Sequence, residues 1–291
     1  MWVTDKVKGL VLTLVMGLPL CMVLEKVMVA AEGTRVWFWL WLVLAVFMVI
    51  MIFAYPRIIA PLFNTFTRVE EDSDLGSAIC ELARRAEYPL AELYVMDGSK
   101  RSSHSNAYMY GFGKAKRIVL FDSLVEQLEI PQVVAVLAHE IGHYTLSHTL
   151  IGIVASQAYV FVFLYAFATL QSSFPLASGL LEAHGFPQAS PHLILLLLFS
   201  LYATPLDLAV SLAMNAMSRS FEYAADRYAA EIDSAESLVT ALEVIQRENM
   251  GIDDPDEWYS LYHHTHPPIP HRVRALRKFR KLRKYGPRKE D

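Results

Sequence analysis

The chain has 291 residues, 54% of them hydrophobic and 19% charged, with a mean hydropathy of +0.30. Soluble domains carry about 25% charged and about 45–50% apolar residues, so this balance excludes an ordinary soluble enzyme and points to a membrane protein. A net charge of −4 gives no field for nucleic acid, and the two cysteines, Cys21 and Cys80, make neither a disulfide framework nor a paired metal site.

Four apolar segments reach the roughly 20 residues that a helix rising about 1.5 Å per residue needs to cross a bilayer. The first runs from Gly9 to about Ala31, with Pro19 inside it and Glu25-Lys26 near its end. Lys6 and Lys8, a leucine-rich stretch and then Val29-Ala30-Ala31 also admit a cleavable signal peptide, but the long run and the Glu25-Lys26 pair favour a span. The second, Val36 to Tyr55, is uncharged and ends at Pro56; the third is Thr149 to Leu170. The fourth, about Leu193 to Met217, contains Pro205 and Asp207.

Basic residues orient these spans. Apart from Lys26 and Arg35, every Lys and Arg lies in the amino-terminal tip, in residues 56–148, or after residue 217. With four spans those regions share one side, which the positive-inside rule makes the cytosol. In residues 56–148, Leu75 to Glu87 has helical spacing. Leu90 to Met96, Ser105 to Phe112 and Ile118 to Phe121 read as strands, and Pro131 opens a further helix. Asp253 to Pro270 reads as loop, and the tail from His271 as a basic helix broken at Gly286-Pro287.

The chemistry concentrates in His139-Glu140-Ile141-Gly142-His143, an HExxH motif. Positions four apart share a helix face, so both imidazoles reach one Zn²⁺ with Glu140 beside the open coordination position. A hydrolytic zinc site uses three protein ligands and a water. His148 stands about 180° around a regular helix from His139 and reads as a helix-end histidine rather than the third ligand. Glu222 is the better candidate. Glu222 and Asp226 lie one helical turn apart on the helix leaving the fourth span, where Asp226 would accept a hydrogen bond from a ligand imidazole and fix its tautomer. Taken alone, that segment could equally be a solvated Glu/Arg/Asp face.

Several further strings stand in a fixed order: Ala60-Pro61-Leu62-Phe63-Asn64, residues 94–101 (YVMDGSKR), residues 105–113 (SNAYMYGFG), the HEIGH motif, residues 221–226 and His266-Pro267-Pro268. Together they resemble the type-I CAAX prenyl protease family of integral-membrane gluzincins, over nearly everything from Tyr55 onward. The resemblance implies His139, His143 and Glu222 as ligands of one zinc per chain and Glu140 as general base. It further implies that Asn106 and Ala107 belong to an edge strand that holds the substrate backbone, and that His266 stabilises the developing oxyanion. Tyr144 stands where the family usually has Trp, and Ser220 where a second basic residue is common. Family members also carry about three further amino-terminal spans.

The expected fold is mainly α: a multi-span helical membrane protein with a zincin-like α+β metalloprotease domain. Residues 1–55 hold two spans, 56–148 the first part of the protease domain, 149–217 two spans, and 218–291 the second part with the third ligand and the basic tail. The resemblance implies an endopeptidase of the endoplasmic reticulum membrane that removes aaX from prenylated CaaX proteins; Arg288-Lys289 weakly resembles a retrieval signal. Two alternatives are an HtpX-like quality-control protease and a non-catalytic membrane adaptor. Glu25, Lys26, Pro205 and Asp207 in or near the spans suggest a wet cavity that four helices scarcely enclose. Either more chain is expected, or a homo-oligomer closes the cavity.

Overall fold

The computed structural model describes residues 2–31, 35–102, 106–111, 116–188, 191–252 and 255–285. Parts of residues 105–113, the start of the 253–270 segment, Gly286-Pro287 and Arg288-Lys289 lie outside them. Helices α1 (Trp2–Leu12) and α2 (Leu18–Ala30) join through a π-turn, Thr13–Gly17; α3 (Val36–Ala54) passes through another, Tyr55–Ile59, into α4 (Ala60–Phe63). Pro56 therefore does not end this helix: it lies inside the Tyr55–Ile59 π-turn, and the helix runs on to Phe63. Next come β1 (Phe66–Arg68), α5 (Asp74–Arg85), β2 (Leu90–Met96), β3 (Ala107–Tyr110) and β4 (Lys116–Phe121). The rest is helical: α6 (Asp122–Gln127), α7 (Ile130–Thr145), α8 (His148–Ser172), α9 (Phe174–Ala183), α10 (His192–Ile232), α11 (Ala235–Glu248), α12 (Glu257–His263) and α13 (Ile269–Tyr285).

The chain forms two compact units, Met1–Phe63 with Leu150–Ala209, and Asn64–Thr149 with Val210–Asp291. Among the described residues, Trp2–Ala30, Val36–Phe63, His148–Ser172 and His192–Ile232 are long and apolar enough to cross a membrane. In the first unit Met28, Leu40, Leu164, Phe167 and Leu195 form a buried core, with Trp37 and Trp41 edge-on to Phe161. Val46, Ile50, Val154, Leu197 and Leu201 stay exposed, an apolar coat suited to lipid rather than water. Two of the carboxylates in this unit are partnered. The Glu25 carboxylate accepts from the backbone N–H groups of His192 (3.1 Å) and Leu193 (3.0 Å), satisfying orphan donors in the first turn of α10. Asp207 accepts from the Tyr159 hydroxyl. Helix α9 occupies part of the stretch between the third and fourth spans, where the sequence showed no element.

The second unit is built on a four-stranded sheet of order β1-β2-β4-β3. The β1–β2 and β3–β4 pairs are antiparallel and β2–β4 is parallel, with Leu93 opposite Ile118 and Ala107 opposite Leu120. Ile118, Val119 and Leu120 are fully buried, as a continuous apolar run on a central strand requires. Ile79 and Leu82 of α5, Leu137 and Ile141 of α7, Leu238 and Leu242 of α11 and Leu276 of α13 complete the core. Helix α7 starts where Glu129 and Gln132 form a reciprocal capping box and Pro131 occupies the first turn. The segment read as loop from Asp253 to Pro270 contains α12, started by Asp256 accepting from Tyr259 N at 2.8 Å. The fold is thus mainly α, a multi-span membrane protein with a small mixed sheet in its α+β unit.

Candidate metal centre and active site

Three elements of the second unit converge. Helix α7 brings His139 and His143, α10 brings Glu222 and Asp226, and α13 with the stretch leading into it brings Arg272 and His266. The ligand atoms of His139, His143 and Glu222 all lie within 4.8 Å of one another. His143 Nε2 is 3.1 Å from His139 Nε2 and 3.3 Å from Glu222 Oε1, and His139 Nε2 is 3.4 Å from Glu222 Oε2. Donors at that spacing suit ligands sharing one ion at about 2.0–2.2 Å.

Charge points the same way. Glu222 Oε2 is buried with no hydrogen-bond donor aligned on it, although Arg272 Nη1 lies 3.1 Å away. Arg272 grips Asp226 with two bonds, Nη2 to Oδ1 at 2.6 Å and Nε to Oδ2 at 2.9 Å. Asp226 Oδ1 also lies 2.9 Å from His139 Nδ1, which leaves His139 Nε2 to face the ligand cluster. Glu140, Glu222 and Asp226 therefore face a single guanidinium, and a divalent cation would balance the excess negative charge.

Burial and Arg272 push the His139 imidazole down, but hydrogen bonds to Asp226 and Glu222 lift it further, to about 9. Burial raises the Glu140 carboxyl, with His139 and His143 pulling it down and Glu222 pushing it up. A carboxylate tuned upward in this way suits a general base.

His139, Glu140, His143, Glu222 and Arg272 line a cavity of about 430 Å³ together with Asn106, Ala107, His266 and apolar Leu124, Val136 and Leu238. Strand β3 lies at the end of the sheet, paired only with β4 among the described residues, and Phe121 N donates to Asn106 O at 3.0 Å. His266 Nε2 reaches Glu222 Oε1 at 3.2 Å and its ring is largely exposed, whereas Ala107 is buried.

A profile described as Peptidase family M48 matches residues 69–280, nearly the whole of the unit that carries these side chains. The chain belongs to peptidase family M48. A second profile, described as the CAAX prenyl protease N-terminal region with five membrane helices, matches residues 1–65. The chain is 39% identical over 280 residues to a CAAX prenyl protease 1 homolog of Arabidopsis thaliana, covering 95% of this chain and 64% of that protein. It is 36% identical to CAAX prenyl protease 1 of Saccharomyces cerevisiae, covering 95% of this chain and 63% of that one. The crystal structure of S. mikatae Ste24p superposes with a TM-score of 0.88 at 34% identity, over 94% of this chain and 66% of that one. The chain thus spans less than two thirds of the length of these relatives.

Within this M48 site, His148 is a helix-end residue outside the metal group, as read from the sequence. Its surroundings are new: α7 stops at Thr145, Ser147 adopts φ 57°, and the turn brings His148 Nδ1 to 3.0 Å from His143 Nδ1. Arg272 gave no signal in the sequence, where it looks like one more cation of a basic tail. Gly142 now has a reason. A Cβ there would meet Tyr228 Cδ1 at 3.1 Å and Ala225 Cα at 3.2 Å, both on the helix that carries Glu222. Alanine normally gains about 1 kcal/mol over glycine inside a helix. Overpacking reverses the sign here, and Gly142→Ala is expected to cost about 1–2 kcal/mol net. Thermal unfolding of the variant checks this; a raised midpoint would show that α7 and α10 have room to spare.

Proposed function

We propose that the chain is a zinc endopeptidase of the endoplasmic reticulum membrane that removes the aaX residues from prenylated CaaX proteins, with its catalytic unit facing the cytosol. The observation that carries this reading is the convergence of His139, His143 and Glu222 beside Glu140, in a cavity whose wall includes Asn106 and Ala107. The printed name of the relatives, CAAX prenyl protease 1, supports the substrate class. Two imidazoles and one carboxylate are a zinc donor set, and one such set supports one ion per chain.

Bound there, zinc would supply Lewis acidity, acidifying a water and polarising the scissile carbonyl. The chain's own residues do the rest. The edge of β3 at Asn106 and Ala107 holds the substrate backbone extended, which fixes the register of the scissile bond. Glu140 takes the proton of the attacking water and passes it to the leaving amine. His266 faces the reacting carbonyl and stabilises the charge that develops on its oxygen. Asp226 and Arg272 act behind the ligands, holding the His139 tautomer and the Glu222 carboxylate in place. The bilayer helps by concentrating a substrate whose lipid already sits in it.

The direct test is a prenylated CaaX peptide offered to the protein in bilayers. The aaX tripeptide should appear, stop on chelation and return with zinc. Cleavage indifferent to chelator would overturn the reading, as would equal cleavage of the unprenylated peptide. Orientation has its own check, based on the basic residues of positions 56–148 and the tail. A glycosylation acceptor placed near Ser178 should be modified, and one near Lys100 should stay bare. The opposite pattern would invert the topology.

A further inference from the structure

We infer that His148 is the positioning residue for the ligand His143, and that it ties this ligand to the helix carrying Glu222; the inference rests on the metal reading above. His143 turns its Nε2 toward His139 and Glu222, so the proton of its neutral ring belongs on Nδ1. That Nδ1 lies 3.0 Å from His148 Nδ1, which accepts the bond and carries its own proton on Nε2. Among the described residues, His143 Nδ1 has no other hydrogen-bond partner, whereas His139 Nδ1 has the Asp226 carboxylate. The two ligand histidines are thus oriented by different groups, one by an anion and one by a neutral ring.

The other face of His148 is also committed. Its ring stacks on Phe221, centroids 4.2 Å apart and planes 6° from parallel. Phe221 immediately precedes Glu222, so a single buried imidazole contacts one ligand and packs against the neighbour of another. The left-handed turn at Ser147 aims this ring, since a continuous α7 would carry it away from His143. A residue that only capped α8 would need neither contact.

His148→Phe keeps the stacking ring and removes the acceptor. In the full chain, zinc affinity measured by competition with a chelator should fall by about 10–100-fold. The visible spectrum of the cobalt-substituted protein should shift, while the unfolding midpoint under chelator stays close to that of the parent. A purely structural role would move the midpoint and leave the cobalt spectrum alone. Should His148→Phe fail to fold, His148→Gly replaces it, and added imidazole should restore zinc affinity. Parental zinc affinity and an unchanged cobalt spectrum in His148→Phe overturn the inference, as does a His148→Gly protein that imidazole does not rescue. Neither readout requires a peptide to be cut, so these results leave the protease reading standing. A parent protein that takes up no zinc overturns both.

Discussion

Glu140→Gln is expected to lower peptide cleavage by about 10²–10⁴-fold, the usual contribution of a positioned general base, while zinc content stays at the parental level. Glutamine keeps the shape of the side chain beside His139 and His143 but cannot take a proton from water. Glu222→Ala should behave in the opposite order. It removes the carboxylate whose oxygens lie 3.3 and 3.4 Å from the two ligand nitrogens, so the metal leaves and activity goes with it. Metal analysis alongside peptide release separates the two variants. Full zinc occupancy with normal cleavage in Glu222→Ala would remove that residue from the site, and normal cleavage in Glu140→Gln would remove the base.

Arg272→Met should be the most damaging change outside the ligands themselves. Arg272 is buried, bonded twice to Asp226 and 3.1 Å from Glu222. Removing one partner of a buried ion pair costs about 3–5 kcal/mol, because the remaining charge is left uncompensated. Here the carboxylates left behind repel one another across a turn of α10. The loss should therefore be largest in chelator and smaller when a divalent cation is present to take up part of the charge. Arg272→Lys should fall between, since it keeps the charge and loses the two-pronged grip on Asp226. Unfolding midpoints of both variants, with and without zinc, test the ordering. A change below about 1 kcal/mol in chelator would mean that solvent reaches the cluster and screens it.

Where helices and strands are long and regular, the sequence alone was enough. The four apolar runs, the strand Leu90 to Met96 and the helix through the HEIGH motif were legible because period and length are local properties. HExxH was legible for the same reason: four residues on a helix bring two imidazoles to one face whatever surrounds them. Glu222 needed only the matching turn of a second helix. The boundaries moved where local rules are weak. Three-residue β1 is too short to show a period, the second span runs past Pro56 to Phe63, and α12 is short enough to hide in a Pro- and His-rich stretch.

Tertiary structure alone decided the surroundings of the ligands. Arg272 lies 46 residues from its partner Asp226, and no spacing rule connects a basic tail helix to a buried carboxylate. His148 depends on one left-handed residue, Ser147, which breaks the helical period by which the sequence set it apart from the metal. Glu25 finds its partners at His192 and Leu193, 167 and 168 residues away. Each case has the same cause. The free energy of a buried charge is settled by whatever partner the fold brings to it, and that partner leaves no periodic trace in the chain.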